Sequence, residues 1–296
     1  MKVLILGASG MLGHSLFTNL MIYKHDVYGT VRSNDNKYLR PFGDKVFYDV
    51  SLSMNHVNEV ESIIIKVKPD YIINCIGLIK QKKEAKFENK ADIIYINSYL
   101  PHLLSEIAEK NNSKFIHFST DCVFTGSKGS YDENDYADAR DSYGLTKFLG
   151  EVSNKNSLTI RTSIIGHELE GQVSLIDWFL SQNSKEVNGY KNAIFSGLPT
   201  CYIAEVLNNF ILNKDISGLY HLSVDPIDKY TLLSLVARIY GKKINIIKDY
   251  ALIVDKSLSS NKLMKDTGYN YRNWEELIEL MFKDRNTNSI YENKKI

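Results

Sequence analysis

The sequence predicts an α/β fold: a Rossmann-type, doubly wound parallel sheet accompanied by a smaller C-terminal domain. Two observations lead to this prediction. Short apolar segments typical of buried parallel strands alternate with segments of helical pattern through roughly the first half of the chain. A glycine-rich turn also joins the first of these strands to the first helix, as it does in dinucleotide-binding folds. The chain of 296 residues is long enough for such a domain with a smaller companion.

The individual elements follow from local patterns. Continuous apolar runs that begin or end at Gly, Pro, Asp or Asn indicate buried parallel strands. They predict strands over residues 3–6, 26–31, 71–76, 114–119 and 157–161. Helical patterns occupy residues 11–23, 57–67, 91–111 and 143–153. The last dozen residues are rich in Asn and Lys, and we expect them to fray.

Composition excludes several classes of protein. A net charge of +1 gives no global attraction for nucleic acid or an anionic membrane, and 44% hydrophobic residues argue against disorder. No apolar run approaches the roughly 20 residues that cross a bilayer. The three cysteines, Cys75, Cys122 and Cys201, form no CxxC pair and have no metal-ligand spacing. We therefore expect a cytoplasmic protein with reduced thiols and no bound metal.

The glycine-rich turn predicts a dinucleotide site. Its sequence, Gly7-Ala-Ser-Gly10-Met-Leu-Gly13, lies between the first predicted strand and the first predicted helix. Glycines permit the tight turn and the close approach of a pyrophosphate, and the helix N-terminus supplies amide donors. The predicted contacts in this loop are Gly7, Ser9, Gly10, Met11, Leu12 and Gly13. The alternative is a glycine-rich turn without a ligand.

The end of the second predicted strand indicates which dinucleotide binds. An acidic residue there would bind the ribose 2′-hydroxyl of NAD, whereas an arginine accommodates the 2′-phosphate of NADP. The chain reads Gly29-Thr-Val-Arg32-Ser33 and has no acid at this place. The sequence therefore favours NADP(H), with NAD(H) as the second choice. The alternative for Arg32 is a solvated loop charge.

Tyr143 and Lys147 are four residues apart in a segment of helical pattern. Because residues at i and i+4 share one helix face, the ammonium can hold the pKa of the phenol below its ordinary value of about 10. Such a phenol can give a proton to a carbonyl oxygen. Thr120 follows a predicted strand and should lie at the carboxyl end of the sheet, where open α/β folds bind ligands. Singly, Thr120 is better explained as a strand-end cap and Lys147 as a solvated residue, but together with the glycine loop they indicate catalysis.

These segments resemble the extended branch of the short-chain dehydrogenase/reductase superfamily and, within it, the dTDP-4-dehydrorhamnose reductase family. The matching stretches span nearly the whole chain: the glycine loop (7–13), Asn97-x-x-x-Pro101, Ser119-Thr-Asp-x-Val-Phe124, Tyr131-x-Glu133, Tyr143-Gly-x-Thr-Lys-x-x-Gly-Glu151, Arg161-Thr162, Gly197-x-Pro-Thr200 and Gly218-Leu-Tyr-His221. The resemblance implies NAD(P)H-dependent reduction of the 4-keto group of a nucleotide-activated 6-deoxysugar, for surface polysaccharide biosynthesis. It also implies an NAD(P)-binding Rossmann domain over residues 1–165, to which a segment near 190–220 returns, and a mainly substrate-binding domain over 166–296.

The resemblance further implies roles for single residues. Tyr143 would donate the proton to the ketone and contact the cofactor, and Thr120 would hydrogen-bond the same ketone oxygen. Lys147 would lower the pKa of Tyr143 and bind the nicotinamide ribose. The remaining cofactor contacts that it implies are Asp49 and Val50 near the adenine and Cys75, Ile76 and Gly77 along the dinucleotide. Asn97 is expected to bridge backbone groups rather than to catalyse.

The chain departs from the family pattern where the sugar binds. Family members commonly carry a tyrosine after Ser-Thr-Asp and a tryptophan two residues after Arg-Thr, whereas this chain has Cys122 and Ile164 there. Smaller side chains suit a bulkier sugar, such as a UDP-linked N-acetyl-6-deoxyhexosulose. Asp121 and Lys256 complete the predicted substrate contacts, Lys256 toward the nucleotide diphosphate or, equally, as a solvated charge.

Two other functions stay open on the sequence alone. One is a ketoreductase coupled to epimerisation of the same kind of sugar. The other is a non-catalytic, NADP-binding regulatory subunit, because a methionine adenosyltransferase subunit belongs to the wider family; loss of the Tyr-Lys pair would favour it, and the pair is present. Relatives often dimerise through the helix that carries this pair, so we expect a homodimer. Some family reductases use Mg²⁺ between subunits, but no ligand cluster in the sequence indicates such a site.

Overall fold

The computed structural model describes residues 1–33, 37–51, 57–79 and 90–292. Within these ranges a central sheet of seven parallel strands has helices on both faces, which confirms the predicted fold class. The strands are β1 (Lys2–Leu6), β2 (Asp26–Thr30), β3 (Val46–Phe47), β4 (Tyr71–Asn74), β5 (Lys114–Thr120), β6 (Ser157–Thr162), β7 (Ile164–Ile165), β8 (Glu186–Tyr190), β9 (Ala193–Phe195), β10 (Leu198–Pro199), β11 (Gly218–His221), β12 (Ile227–Asp228), β13 (Asn245–Asp249) and β14 (Val254–Asp255).

The helices follow the predicted pattern in the first half of the chain. They are α1 (Met11–Ile22), α2 (Val57–Val67), α3 (Lys90–Ile94), α4 (Leu100–Lys110), α5 (Ser142–Leu149), α6 (Leu175–Ser181), α7 (Thr200–Val206), α8 (Lys229–Tyr240), α9 (Asn261–Thr267) and α10 (Trp274–Thr287). A π-helical turn, Tyr95–Tyr99, joins α3 to α4. Helix α5 ends earlier than predicted, at Leu149. Gly150 follows it, and a Cβ at Gly150 would lie 2.0 Å from the Asn97 carbonyl oxygen, so the chain packs too closely there for any other residue.

The order of the central strands shows where the sheet is expected to bind ligands. The order is β3-β2-β1-β4-β5-β6-β11, and the strand order reverses between β1 and β4. Open α/β folds bind their ligands at this reversal, outside the carboxyl ends of the strands. Strand β11 pairs with β6, so a segment from the second half of the chain joins the sheet. The division of the chain into two domains near residue 165 stays a prediction.

Two apolar cores cover the two faces of the sheet. In β1, Val3 and Ile5 join the core under α1 and α7, whereas Leu4 and Leu6 join the core under α2 and α4. This alternation is the period of two of a β-strand, and burial on both faces explains why the segment is continuously apolar. The sheet is therefore fixed from both sides, and the residues at its carboxyl edge have a rigid support.

A third core forms a C-terminal lobe above the carboxyl edge. It contains apolar side chains from α6, α8 and α10, among them Phe179, Leu232 and Ile278. The three-stranded sheet β12-β9-β14 belongs to this lobe. None of the described helices is both long and apolar enough to cross a membrane.

The expectation that the last dozen residues fray is wrong for residues 285–292. Helix α10 continues to Thr287, and a 3₁₀ turn follows at Ser289–Tyr291. Ile290 and Tyr291 are buried, and the Tyr291 hydroxyl lies 2.8 Å from Nε2 of His14 in α1. The two apolar side chains in a polar stretch therefore fix this segment against the first helix of the Rossmann sheet.

Candidate active site

The glycine loop is a tight turn between β1 and α1. Gly7 has a φ of +83°, which other residues rarely adopt, and a Cβ there would also lie 2.7 Å from Cγ1 of Ile76. A Cβ on Gly13 would lie 2.1 Å from the Gly7 carbonyl oxygen, so α1 packs directly on the loop. Gly10 is the N-cap of α1, and a Cβ at Gly10 would have no neighbour nearer than 3.4 Å. Two glycines are thus required by the protein's own packing, while the third leaves space at the helix N-terminus for a phosphate.

The other predicted loop contacts surround this turn. Ser9 is exposed, Met11 is partly buried and Leu12 is buried. Arg32 is exposed just beyond the carboxyl end of β2, as its predicted role requires. Asp49 is exposed with a φ of +56°, which turns the chain so that Val50 N–H can donate to the Val31 carbonyl at 3.0 Å. The structure therefore places Arg32, Asp49 and Val50 beside one another at the end of β2.

Cys75, Ile76 and Gly77 follow the end of β4, on the other side of the strand-order reversal. The Ile76 N–H donates to Oδ1 of Asn74 at 3.1 Å. Asn97 bridges the backbone of Leu78: its Oδ1 accepts from the N–H at 2.9 Å and its Nδ2 donates to the carbonyl at 3.0 Å. The expectation that Asn97 is a bridging residue is confirmed. These bonds fix the segment that runs past the predicted dinucleotide.

Thr120 is the last residue of β5 and caps the 3₁₀ turn Asp121–Val123. Its Oγ1 accepts from the Cys122 N–H at 3.1 Å and donates to Oδ1 of Asp121 at 3.2 Å. Thr120 and Asp121 are buried and Cys122 is partly buried. Burial raises the pKa of the Cys122 thiol to about 11, so this cysteine is a neutral side chain at physiological pH. The strand-end cap and the candidate catalytic hydroxyl are thus the same group.

Tyr143 lies in the first turn of α5. Asp141 caps this helix by accepting from the N–H groups of Tyr143 and Gly144, both at 3.0 Å. Burial is the main cause that raises the pKa of the Tyr143 phenol above its ordinary value; the charges of Cys122 and Asp121 raise it further, and a hydrogen bond with Thr120 lowers it. The pKa is thus raised above its ordinary value, not held below it as the i, i+4 spacing predicts, and the Lys147 ammonium bonds to the Phe118 carbonyl. A lowering effect of Lys147 stays a prediction.

Lys147 is buried at the base of the site. Its ammonium donates to the Phe118 carbonyl at 2.7 Å and lies 3.3 Å from Nε2 of His117. Burial lowers the pKa of Lys147 to about 8. A Cβ built on Gly77 would lie 4.0 Å from Nζ, so the ammonium borders the path of the predicted dinucleotide. It is therefore not the solvated surface residue of the alternative interpretation.

His117 is a site residue that the sequence did not indicate. It is fully buried, and Nδ1 lies 3.1 Å from Nδ2 of Asn74 while Nε2 faces Lys147. Burial and the charge of Lys147 lower its pKa well below the ordinary value, so the imidazole is neutral. The signal in the sequence was one polar residue within an apolar strand.

The predicted substrate contacts come from several elements. Ile164 is in β7, a two-residue strand that pairs with β10. Lys256 follows β14, and its charge lowers the pKa of Asp121, which burial raises. The charge of Lys229, at the start of α8, also lowers the pKa of Asp121. The sequence did not indicate Lys229 as a site residue. The structure thus brings Lys256 to Thr120 and Asp121 and adds Lys229 to them.

A buried ion pair supports the site from behind. Nε and Nη2 of Arg161 in β6 donate to the two carboxylate oxygens of Glu151, each at 2.8 Å, and Ser119 Oγ donates to Glu151 at 2.7 Å. Arg161 is 3% exposed. The pair therefore fixes β5 and β6 relative to the segment that follows α5. No group of three or more His, Cys, Asp or Glu side chains within the described ranges could hold a metal ion.

Some curated relatives of this chain are named as reductases, and others as the methionine adenosyltransferase 2 subunit beta of vertebrates such as Danio rerio. A dTDP-4-dehydrorhamnose reductase of Aggregatibacter actinomycetemcomitans is 26% identical over 236 residues, which are 76% of this chain and 74% of that protein. The probable low-salt glycan biosynthesis reductase Agl14 of Haloferax volcanii is 26% identical over 170 residues, 56% of this chain and 54% of that protein. The chain thus aligns with only about half the length of the Haloferax relative.

The fold agrees with a solved structure, and a family model covers most of the chain. The dTDP-4-dehydrorhamnose reductase of Bacillus anthracis, solved in complex with NADP, superposes with a TM-score of 0.77 at 21% identity, covering 96% of this chain and 99% of that one. The family model described as RmlD substrate binding domain matches residues 1–286. The chain therefore belongs to the RmlD substrate binding domain family.

Proposed function

We propose that this protein is an NADPH-dependent reductase of the 4-keto group of a nucleotide-activated 6-deoxysugar, acting in the cytoplasm in surface polysaccharide biosynthesis. The proposal rests on one observation above all. Thr120, Tyr143 and Lys147 converge at the carboxyl edge of the sheet, beside the strand-order reversal where the glycine loop lies. The names of two relatives, the reductases of Aggregatibacter actinomycetemcomitans and Bacillus anthracis, support it.

The residues present fit a dinucleotide. Gly10 leaves space at the N-terminus of α1, and Arg32 is exposed where a 2′-phosphate would lie. Ser9, Met11 and Leu12 continue the loop, Asp49 and Val50 would contact the adenine, and Cys75 to Gly77 would line the path to the nicotinamide. When bound, a reduced nicotinamide supplies a hydride to the carbonyl carbon.

The chain's own residues would then handle the proton. A phenol whose pKa is raised keeps its proton at neutral pH, so Tyr143 is suited to donate a proton to the ketone oxygen as negative charge develops there. Thr120 can donate a second hydrogen bond to the same oxygen if it leaves Asp121. Lys147, with a pKa of about 8, is mostly charged at neutral pH and can bind a ribose hydroxyl with its remaining protons.

Replacing Arg32 by alanine tests the choice of cofactor. We expect affinity for NADPH to fall by roughly tenfold or more, since a charge-assisted hydrogen bond contributes about 1.5–3 kcal/mol, while affinity for NADH stays unchanged. Fluorescence titration of both nucleotides measures this. Arg238→Ala, which removes an exposed arginine of the C-terminal lobe, is the control and should change neither affinity. Equal NADPH affinities for wild type and Arg32→Ala would show that Arg32 does not select the cofactor.

Small side chains at Cys122 and Ile164 favour a bulky sugar. We expect UDP-2-acetamido-2,6-dideoxyhexos-4-ulose to be reduced with a higher kcat/KM than dTDP-4-dehydrorhamnose, because the two missing aromatic rings leave room for the acetamido group. Initial rates of NADPH oxidation at limiting substrate measure the ratio. A Cys122→Tyr variant should reverse the preference. A wild-type preference for the dTDP-linked sugar would contradict this assignment of substrate.

We further propose a homodimer that forms through α5 and the π-helical turn beside it. These two elements pack together, with Ser98 Oγ donating to the Thr146 carbonyl at 2.9 Å. These two elements and the end of α3 expose large apolar side chains: Ile94, Tyr99, Leu145, Phe148 and Leu149. Such a patch on a helix pair is typical of an interface between identical subunits, which bury the same surface on both copies.

Replacing Leu149 by glutamate tests this interface. Leu149 is 60% exposed, so the change should not disturb the fold of one subunit, but a carboxylate in the apolar interface should convert the dimer to a monomer. Light scattering after size-exclusion chromatography measures the mass. Ile253→Glu, at an 81% exposed position in the C-terminal lobe, should leave the dimer intact. A monomeric wild type, or a dimer that survives Leu149→Glu, would refute the proposed interface.

A further inference from the structure

Two lysines of the C-terminal lobe follow the two short strands that flank β9. Lys229 follows β12 directly, and its Nζ lies 3.3 Å from the centroid of the Phe195 ring in β9. Lys256 follows β14, and its backbone N–H donates to the Ile194 carbonyl of β9 at 3.0 Å. Because β12 and β14 both pair with β9, this small sheet fixes the positions of both residues. Lys229 and Lys256 are called the lysine pair below.

The lysine pair faces the turn that follows β5. A Cβ on Gly126 would lie 3.0 Å from Cγ of Lys256, and the Asp255 N–H donates to the Gly126 carbonyl at 2.8 Å. Earlier in the same turn lies Asp121, whose carboxyl pKa both lysines lower while burial raises it. The lysine pair is therefore next to the candidate catalytic Thr120, across the opening between the sheet and the C-terminal lobe.

The charges around the lysine pair do not balance. Within the described residues, neither ammonium group donates a hydrogen bond or forms an ion pair, and Asp121 is the carboxylate that acts on Lys229 most strongly. Burial lowers the pKa of Lys229 to about 8, so this ammonium is mostly charged at neutral pH, beside the Asp121 carboxyl group. A partly buried charge without a partner is costly, which makes the place favourable for a second anion.

We propose that Lys229 and Lys256 bind a negatively charged group of the nucleotide-sugar substrate. The inference rests on the proposed function and adds a binding site to it. The face of Phe195 holds the ammonium of Lys229 in place, as cation–π contacts do, so its donors are directed before the anion arrives. Anionic oxygens that accept charge-assisted hydrogen bonds occur in the nucleotide diphosphate and in sugars that carry a carboxylate, which in a 6-deoxysugar lies on a ring substituent because C6 is a methyl group.

Calorimetric titration of the NADP⁺-saturated protein tests the proposal. The probes are UDP for the diphosphate, and the pair UDP-glucose and UDP-glucuronate for a sugar carboxylate. Lys229→Met keeps the length and the apolar contact with Phe195 and removes the charge. We expect it to weaken binding by roughly tenfold, the effect of one charge-assisted hydrogen bond, and Lys229→Arg to restore most of the loss. Lys248→Met is the control and should leave binding unchanged. Lys248 lies in β13, with its Nζ 5.3 Å from the centroid of the Tyr230 ring.

The outcomes distinguish the two sources of the anion. Weaker binding of UDP by Lys229→Met assigns the lysine pair to the diphosphate. Unchanged UDP binding with loss of the preference for UDP-glucuronate over UDP-glucose assigns it to a sugar carboxylate. Unchanged binding of all three probes overturns the proposal. Because calorimetry reports binding without turnover, a wild type that reduces no 4-keto sugar would refute the proposed reaction while the effect of Lys229→Met still decides the binding site.

Discussion

Replacing Tyr143 by phenylalanine is expected to lower kcat for 4-keto sugar reduction by roughly 10²–10⁴-fold, the range that one general acid contributes. The variant removes only the phenolic oxygen, so the ring still fills its partly buried place in the first turn of α5. The cofactor contacts proposed for Gly10 and Arg32 are untouched, and NADPH affinity should therefore stay at the wild-type value. Stopped-flow absorbance of NADPH measures the rate, and fluorescence titration measures the affinity.

Tyr190→Phe is the matched control for this variant. Tyr190 lies in β8, is 38% exposed and belongs to the C-terminal lobe, so loss of its hydroxyl should leave kcat unchanged. A Tyr143→Phe variant that keeps wild-type kcat would show that another group protonates the ketone. Loss of NADPH binding in the same variant would assign Tyr143 chiefly to the cofactor contact that the family resemblance also implies, rather than to proton donation.

Replacing Arg161 by methionine should have the largest effect on stability. Among the described residues, the variant leaves the buried Glu151 carboxylate with Ser119 as its side-chain hydrogen-bond donor, and removing one partner of a buried ion pair costs about 3–5 kcal/mol. Urea denaturation followed by circular dichroism measures the free energy of unfolding. Since the pair fixes β5 next to Thr120, kcat should fall as well, even at temperatures where the variant is folded.

Arg238→Met tests whether burial of the ion pair is the cause of the stability loss expected for Arg161→Met. Arg238 forms an ion pair with Glu275 at 2.8 Å, but both side chains are more than half exposed. Exposed pairs contribute about 0–1 kcal/mol, so this variant should unfold at nearly the wild-type urea concentration. Equal losses for Arg161→Met and Arg238→Met would contradict the account, because burial would then make no difference to the effect of the pair.

The Rossmann part of the fold could be predicted because its signals are local. A strand such as β1 is buried on both faces, which leaves a continuous apolar run in the sequence, and the glycine loop combines turn and helix start within seven residues. The short strands of the C-terminal lobe could not be predicted. Strands β12 and β14 have two residues each, too few to show an alternating pattern.

In the candidate site, too, the sequence indicated the residues of local motifs but not the features that depend on tertiary structure. Thr120, Tyr143 and Lys147 lie in contiguous motifs, and the structure brings them to one edge of the sheet. The bonding of Lys147 to the Phe118 carbonyl and the raised pKa of Tyr143 both depend on burial, which spacing along a helix does not report. Lys229 reaches Asp121 from more than a hundred residues away through three short strands, so no local pattern indicated it.

The central claim is that the protein delivers a hydride to C4 of a nucleotide-activated 6-deoxysugar. Its most direct test is incubation with the 4-keto sugar and NADPH carrying deuterium at both C4 positions of the nicotinamide, followed by mass spectrometry and NMR of the product. The account predicts one deuterium per product molecule, bound at C4 of the sugar, and almost none with Tyr143→Phe over the same time. A product without deuterium at C4, or no product from the UDP-linked or the dTDP-linked sugar, would contradict it.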